Sequence, residues 1–264
     1  MNDPVLSRAM TFVLFLLALV TAIVAFAYPF IIASRDASSG VLAFGETPIL
    51  SILLISLCLA ALLAELQGQA TGAKLVAALG IMVAATSTLR FIEVGIPGPG
   101  GFSPIFAPII LGGYVFGSRF GFLLGAMTMF VSAIITGGVG PWLPYQMFTA
   151  GWVGLTAGWL PHLPNRKAEL LLLAVFAFAW GFLYGGVMNL STWPLLAGDP
   201  RMSYVAGAGP LAVLRSYATF YLATSLVWDL AAAIGNVVLL IVLGIPTINA
   251  LLRFRNRMSF QVKP

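Results

Sequence analysis

The segment AKLVAALGIMVAATSTLRFIEV (Ala73–Val94) carries two features that rarely share one helix. Ala73, Ala77, Gly80, Ala84 and Ser87 are spaced by 4, 3, 4 and 3 residues, which places small side chains in one continuous stripe on a helical face. Most other positions are apolar, until Arg90 and Glu93 close the run. In lipid, close packing rather than water exclusion drives helix association, and small residues permit it. The segment reads as a membrane-spanning helix with a packing face and a charged end. A charge costs roughly 2.5–3.5 kcal/mol at a bilayer centre on insertion scales, so the pair marks a candidate functional position.

The whole chain agrees with that reading. It has 264 residues, of which 60% are hydrophobic and 8% charged, with mean hydropathy +1.02. Soluble domains carry about 25% charged residues. Alternation in ~10-residue segments, the mark of a transmembrane barrel, is absent, and helices are the remaining way to satisfy a backbone in hydrocarbon. The expected fold is an all-α polytopic membrane protein. Runs of the ~20 residues that span a bilayer fall near 10–32, 48–67, 73–94, 103–117, 119–137, 144–160, 168–190 and 215–244, about eight crossings.

Charge fixes an orientation. With the N-terminus inside, Arg8, Lys74, Arg119, Arg166, Lys167, Arg253, Arg255, Arg257 and Lys263 are inner, nine of the 13 Lys and Arg. This satisfies the positive-inside rule, N-in and C-in. The basic tail 251–264 is read as touching anionic lipid rather than nucleic acid. Ala25-Phe-Ala27 resembles a signal cleavage site, but the apolar run continues past it through Ile32, so a retained helix is expected. Cys58 is the single cysteine, and no intrachain disulfide is possible.

Two Gly/Pro stretches, Gly98–Pro104 (GPGGFSP) and Gly137–Gln146 (GGVGPWLPYQ), interrupt the apolar runs on the outer side. The longest polar segment, Asn189 to Arg215, joins them there. Irregular backbone at membrane depth is tolerated where it lines a cavity, so the three are expected to form an outward-facing cup, against the alternative of ordinary tight turns. Arg90 and Glu93 would stand at its rim, unless they pair with each other across one turn.

Asp229, near the middle of the last run, is an intramembrane carboxylate and a functional position by default. Asn236 lies two turns on along the same face. Arg90, Asn236 or the hydroxyl of Tyr145 are its candidate partners, and a purely structural interhelical bond is the alternative. Trp180, Tyr184 and Met188 stack at i, i+4 and i+8, followed by Asn189 and Trp193. The stripe is either packing or an interfacial belt, or the apolar wall of a ligand site. Trp142, Tyr145 and Gln146 from the second Gly/Pro stretch, with Phe102 from the first, would close the same mouth.

Several chemistries lack their residues. No Gly-x-x-x-x-Gly-Lys-Ser/Thr occurs, so the chain has no P-loop ATPase of its own. His162 is the lone histidine, which excludes a histidine-based metal site, and no Cys–His or Ser–His pair can form near the cup. No metal, no cofactor and no enzymatic activity are expected.

These features together resemble the substrate-binding S component of energy-coupling factor (ECF) transporters, the bacterial vitamin importers. The resemblance covers residues 73–250, through Arg90-Phe-Ile-Glu93, PGPGGFSPIFAPIILGGYVFGSRFGFLLGAMT (97–128), TGGVGPWLPYQMFTAGWVG (136–154), WGFLYGGVMNLSTWP (180–194) and WDLAAAIGN (228–236). It implies a six-helix core at 73–250, preceded by two additional helices within 1–72. It also implies capture of a vitamin at the outer face of the bacterial plasma membrane, then docking on a T component and two cytoplasmic ATPase subunits. The family docks through Ala-x-x-x-Ala on its first core helix, matched by Ala73 and Ala77, with Gly80 and Ala84 continuing the stripe. A corrinoid such as cobalamin is the first expectation for the cargo, and a smaller heteroaromatic vitamin the second. The alternatives are a self-sufficient secondary transporter, a non-transporting scaffold subunit, and an intramembrane enzyme that would need Glu93 and Asp229 on one water-filled cavity.

Overall fold

The computed structural model describes residues 4–35, 52–53, 56–57, 60, 70–96, 102–196 and 198–258. Most of the expected run at 48–67, including Cys58, lies outside them, as do residues 97–101 of the first Gly/Pro stretch and the tail from 259. Among the described residues all regular structure is helical. Five helices are long and apolar enough to cross a membrane, with spans at 13–34, 74–95, 118–136, 166–195 and 226–257.

The helices are α1 (Pro4–Arg35), α2 (Ala70–Gly95), α3 (Phe106–Phe116), α4 (Ser118–Thr136), α5 (Leu143–Ala157), α6 (Arg166–Asn189), α7 (Pro210–Thr224) and α8 (Leu226–Met258). Three of them are short, α3, α5 and α7, and the first two lie at the centre. At 1.5 Å per residue α3 and α5 are about 16 and 22 Å long, less than the ~30 Å hydrocarbon thickness. Both are among the most buried elements: Ile109, Ile110, Met147, Phe148, Ala150 and Val153 are all at 0% exposure. Their ends stay inside the protein because α2, α4, α6 and α8 pack around them, the condition under which interrupted helices persist at membrane depth.

Glycines weld this centre. Gly121 and Gly125 on α4, and Gly154 and Gly158 on α5, form two Gly-x-x-x-Gly pairs facing each other. A Cβ on Gly121 would overlap the carbonyl of Gly154, one on Gly154 the carbonyl of Gly121, and one on Gly125 the carbonyl of Ala150. Gly113 on α3 meets the same Gly154 carbonyl. The three backbones thus touch directly, the close approach that small residues provide in lipid. Gly117 alone separates α3 from α4 at φ 97°, a conformation that only glycine adopts at little cost.

The expected run at 215–244 is corrected. It is two helices, α7 ending at Thr224 and α8 beginning at Leu226. Ser225, at φ −118° and ψ −30°, leaves helical geometry, and its backbone serves both: its N–H bonds the Tyr221 carbonyl at 2.9 Å and its carbonyl accepts from the Asp229 N–H at 2.9 Å. Asp229 is therefore not mid-helix but in the first turn of α8, where the helix dipole favours a carboxylate. At its other end α8 continues through Met258, and Arg255 donates to the Val115 carbonyl at 2.7 Å.

Helix α1 docks on the centre through a small-residue face, Ala18, Ala22 and Ala25, all buried. Phe26 packs edge-on against Tyr145, with ring centroids 5.0 Å apart, and the Tyr145 hydroxyl donates to the Ala25 carbonyl at 3.3 Å. At the Arg166 end of the bundle, Glu169 is only 2% exposed. It accepts from the Tyr114 hydroxyl at 2.6 Å and pairs with Arg166, while the Tyr114 ring stacks on His162 at 4.4 Å.

Candidate functional site

A cavity of about 400 Å³ opens between α2, the start of α3, α5, α6 and the start of α8. Eight of the sequence-derived candidates line it: Arg90, Glu93, Gln146, Trp180, Tyr184, Asn189, Asp229 and Asn236. They come from four helices, with Arg90 and Asn236 146 positions apart in the chain, and helices, not loops, form most of the wall.

Arg90 and Glu93 do not pair with each other. Among the described residues the ion pairs are Arg166–Glu169 and Arg201–Asp199. Glu93 instead accepts from the Ser103 hydroxyl, and Arg90 directs Nη1 at the Met129 sulfur at 3.0 Å. Across the cavity, Asp229 Oδ2 accepts from the Tyr221 hydroxyl at 2.7 Å, and both its oxygens lie where a Cβ on Gly185 would stand. Gly181, one turn earlier, admits the Cα of Ala233 just as closely. Helices α6 and α8 are thereby held together beneath the acid. Asn189 donates to the Ser225 hydroxyl at 2.7 Å, tying the end of α6 to the α7–α8 junction. None of the candidate partners expected for Asp229 holds it; the tyrosine that does is on α7.

Asn236 is 2% exposed, lines the cavity, and its Oδ1 has no hydrogen-bond partner. Buried side-chain polar atoms are satisfied in the large majority of cases, and this one is an exception. The apolar part of the wall is the stripe Trp180, Tyr184 and Met188. Phe106 meets Tyr184 edge-on at 4.7 Å. The Trp180 indole N–H is directed out of the cavity, to the Thr156 hydroxyl at 3.1 Å.

Phe102, Trp142, Tyr145 and Trp193 lie elsewhere. The Phe102 ring covers the Cα of Gly235 on α8. Trp142 is 48% exposed and bonds the Gly138 carbonyl at 3.1 Å. The second Gly/Pro stretch is a tight turn: Gly137 at φ 67° caps α4 and the Gly138 N–H reaches the Ala133 carbonyl at 2.8 Å. Only Gln146 extends from it to the cavity. Tyr145 faces α1, as described. Trp193 is 1% exposed, its indole N–H bonds the Met202 carbonyl at 2.7 Å, and it anchors the 190–209 segment against Tyr204, Tyr217 and Phe30. The sequence reading missed Ser103, Ser225 and Trp228. A signal existed for each, since Ser103 follows Phe102, and Ser225 and Trp228 precede Asp229 by four residues and one.

On α2, Ala77 and Ala84 are exposed, as is Gly80, where a Cβ would meet nothing within 4 Å. Ser87 turns inward and is buried, its hydroxyl 3.4 Å from the Thr128 carbonyl. The side chain of Ala73 lies outside the described residues.

A scan of family profiles matches residues 73–244 to the ECF transporter, substrate-specific component family. The chain is an S component. No curated protein and no solved structure matches it. The matched region begins within α2 and ends within α8, so the cavity and the glycine-welded centre belong to the S-component part and α1 lies outside it. The volume of the cavity, about 400 Å³, falls near the lower end of ligand sites, about 300–1,000 Å³.

Proposed function

We propose that the chain captures a vitamin-sized small molecule in the cavity between α2, α6 and α8, and delivers it inward by docking on a T component with two ATPase subunits. The observation that carries this is the polar cavity itself, lined by Arg90, Glu93, Asp229 and Asn236 within apolar helices. In this reading the protein sits in a bacterial plasma membrane with both termini inside and the Arg90 end of the bundle outward. It contributes no catalysis. Ala73, Ala77, Gly80 and Ala84 provide the face for the T component; the exposure of Ala77, Gly80 and Ala84, with no described residue packed over Gly80, supports that use.

The volume bears on the cargo. The cavity, of about 400 Å³, is open on one side, so a corrinoid would project out of it. A single- or double-ring vitamin fits, so the smaller of the two cargo expectations is preferred.

Purification from a vitamin-replete host, followed by denaturation and mass analysis of released molecules, tests the proposal. A stoichiometric vitamin-sized compound, with ATPases co-purifying from the native membrane, is the expected result. An empty protein without ATPases would overturn it in favour of a scaffold role, and a bound cargo without ATPases would favour a self-sufficient transporter. Glu93 and Asp229 do share one cavity, the condition for carboxylate chemistry. Recovery of the compound cleaved rather than intact would support that reading instead.

A further inference from the structure

The described lining of the cavity carries two acids and one cation. Glu93 and Asp229 present carboxylates from two walls, each already holding one hydroxyl donor, Ser103 and Tyr221. Asn236 Oδ1 adds a buried carbonyl oxygen with no partner. Against two acids stands one cation, Arg90, directed at the Met129 sulfur. Among the described residues no group of three or more His, Cys, Asp or Glu could hold a metal ion. Between the two acids runs the wall of Trp180 and Tyr184, and aromatic faces attract cations.

We propose that the cavity selects a flat heteroaromatic molecule bearing positive charge or amino donors, its ring against Trp180 and Tyr184 and its donors on Glu93 and Asp229. This rests on the cavity being the substrate site. A carboxylate-bearing vitamin would bring a third negative charge to two acids, and the mismatch rejects it, since specificity is set by repulsion as well as attraction.

The test titrates the purified full chain in detergent with thiamine as a cationic aminoheteroaromatic probe, riboflavin as an uncharged one, and biotin and pantothenate as carboxylates. Tryptophan fluorescence and calorimetry provide the readout. Thiamine is expected to bind best, and the isosteric variants E93Q and D229N each to weaken it at least about tenfold, the scale of one hydrogen bond to a charged group. Unchanged melting checks their folding; should E93Q fail to fold, Ser103→Ala removes the hydroxyl that holds Glu93 and replaces it. Tighter binding of a carboxylate or of riboflavin than of thiamine, or thiamine binding indifferent to both variants, overturns the inference and leaves the capture of a vitamin standing. Binding of none of the four probes, with no small molecule recovered from the native protein, overturns both.

Discussion

The carboxylate of Asp229 rests on the bare Cα of Gly185, one helix against another with no side chain between them. Gly185→Ala must push the acid away and strain its bond to Tyr221, the hydroxyl donor at 2.7 Å. Hydrogen bonds to charged groups contribute about 1.5–3 kcal/mol, so ligand affinity should fall by roughly ten- to a hundredfold while the helix content stays native. Calorimetric titration with the recovered ligand, alongside circular dichroism, checks it. Tyr221→Phe, which leaves the acid in place without its donor, should weaken binding less.

The glycine weld should be intolerant of a single methyl group. Gly121→Ala and Gly154→Ala each put a Cβ into a carbonyl, and overpacking costs typically about 1–3 kcal/mol. Gly80→Ala, facing open space, should leave stability unchanged. The comparison is read by thermal unfolding in detergent, and equal melting temperatures for all three would refute the packing described.

At the opposite end, Glu169 relies on Tyr114 and Arg166. Tyr114→Phe removes one donor from a carboxylate only 2% exposed. The unmet bond should cost about 1–3 kcal/mol and lower the melting temperature by a few degrees, roughly 2–4 °C per kcal/mol at this chain length. Cargo affinity at the distant cavity should not change.

The α2 face separates docking from capture. Ala77→Trp and Ala84→Trp place bulk on an exposed surface, so both variants should fold and bind cargo normally. Co-purification with the T component and ATPases should be lost. Retained complex formation would move the docking surface off this helix.

Much of the site was legible because membrane helices make polar residues conspicuous. Arg90, Glu93, Asp229 and Asn236 stood out against apolar neighbours, and helical spacing alone put Trp180, Tyr184 and Met188 in one row. The aromatic residues near the turns read less well, since they do not line the cavity. Trp142, Tyr145 and Trp193 have the composition of a binding mouth, yet Tyr145 answers to Ala25, 120 residues away, and no local pattern carries that contact. The break at Ser225 was equally silent, since neither proline nor glycine marks it. The facing Gly-x-x-x-Gly pairs at Gly121/Gly125 and Gly154/Gly158 were readable, and they, rather than the α2 stripe, mark where this bundle is tightest.

That weld has a mechanical consequence. Helices α3, α4 and α5 meet backbone to backbone, and α6 and α8 do the same at Gly181 and Ala233, so neither group can shear internally without van der Waals overlap. The cavity lies on the joint between the two stiff bodies, with Gln146 and Ser103 on one side and Trp180 and Asp229 on the other. A molecule seated there acts as a dowel across that joint. Whether the site is full or empty is thereby converted into how stiffly two halves of the protein are pinned, a property that can be felt from outside the bundle.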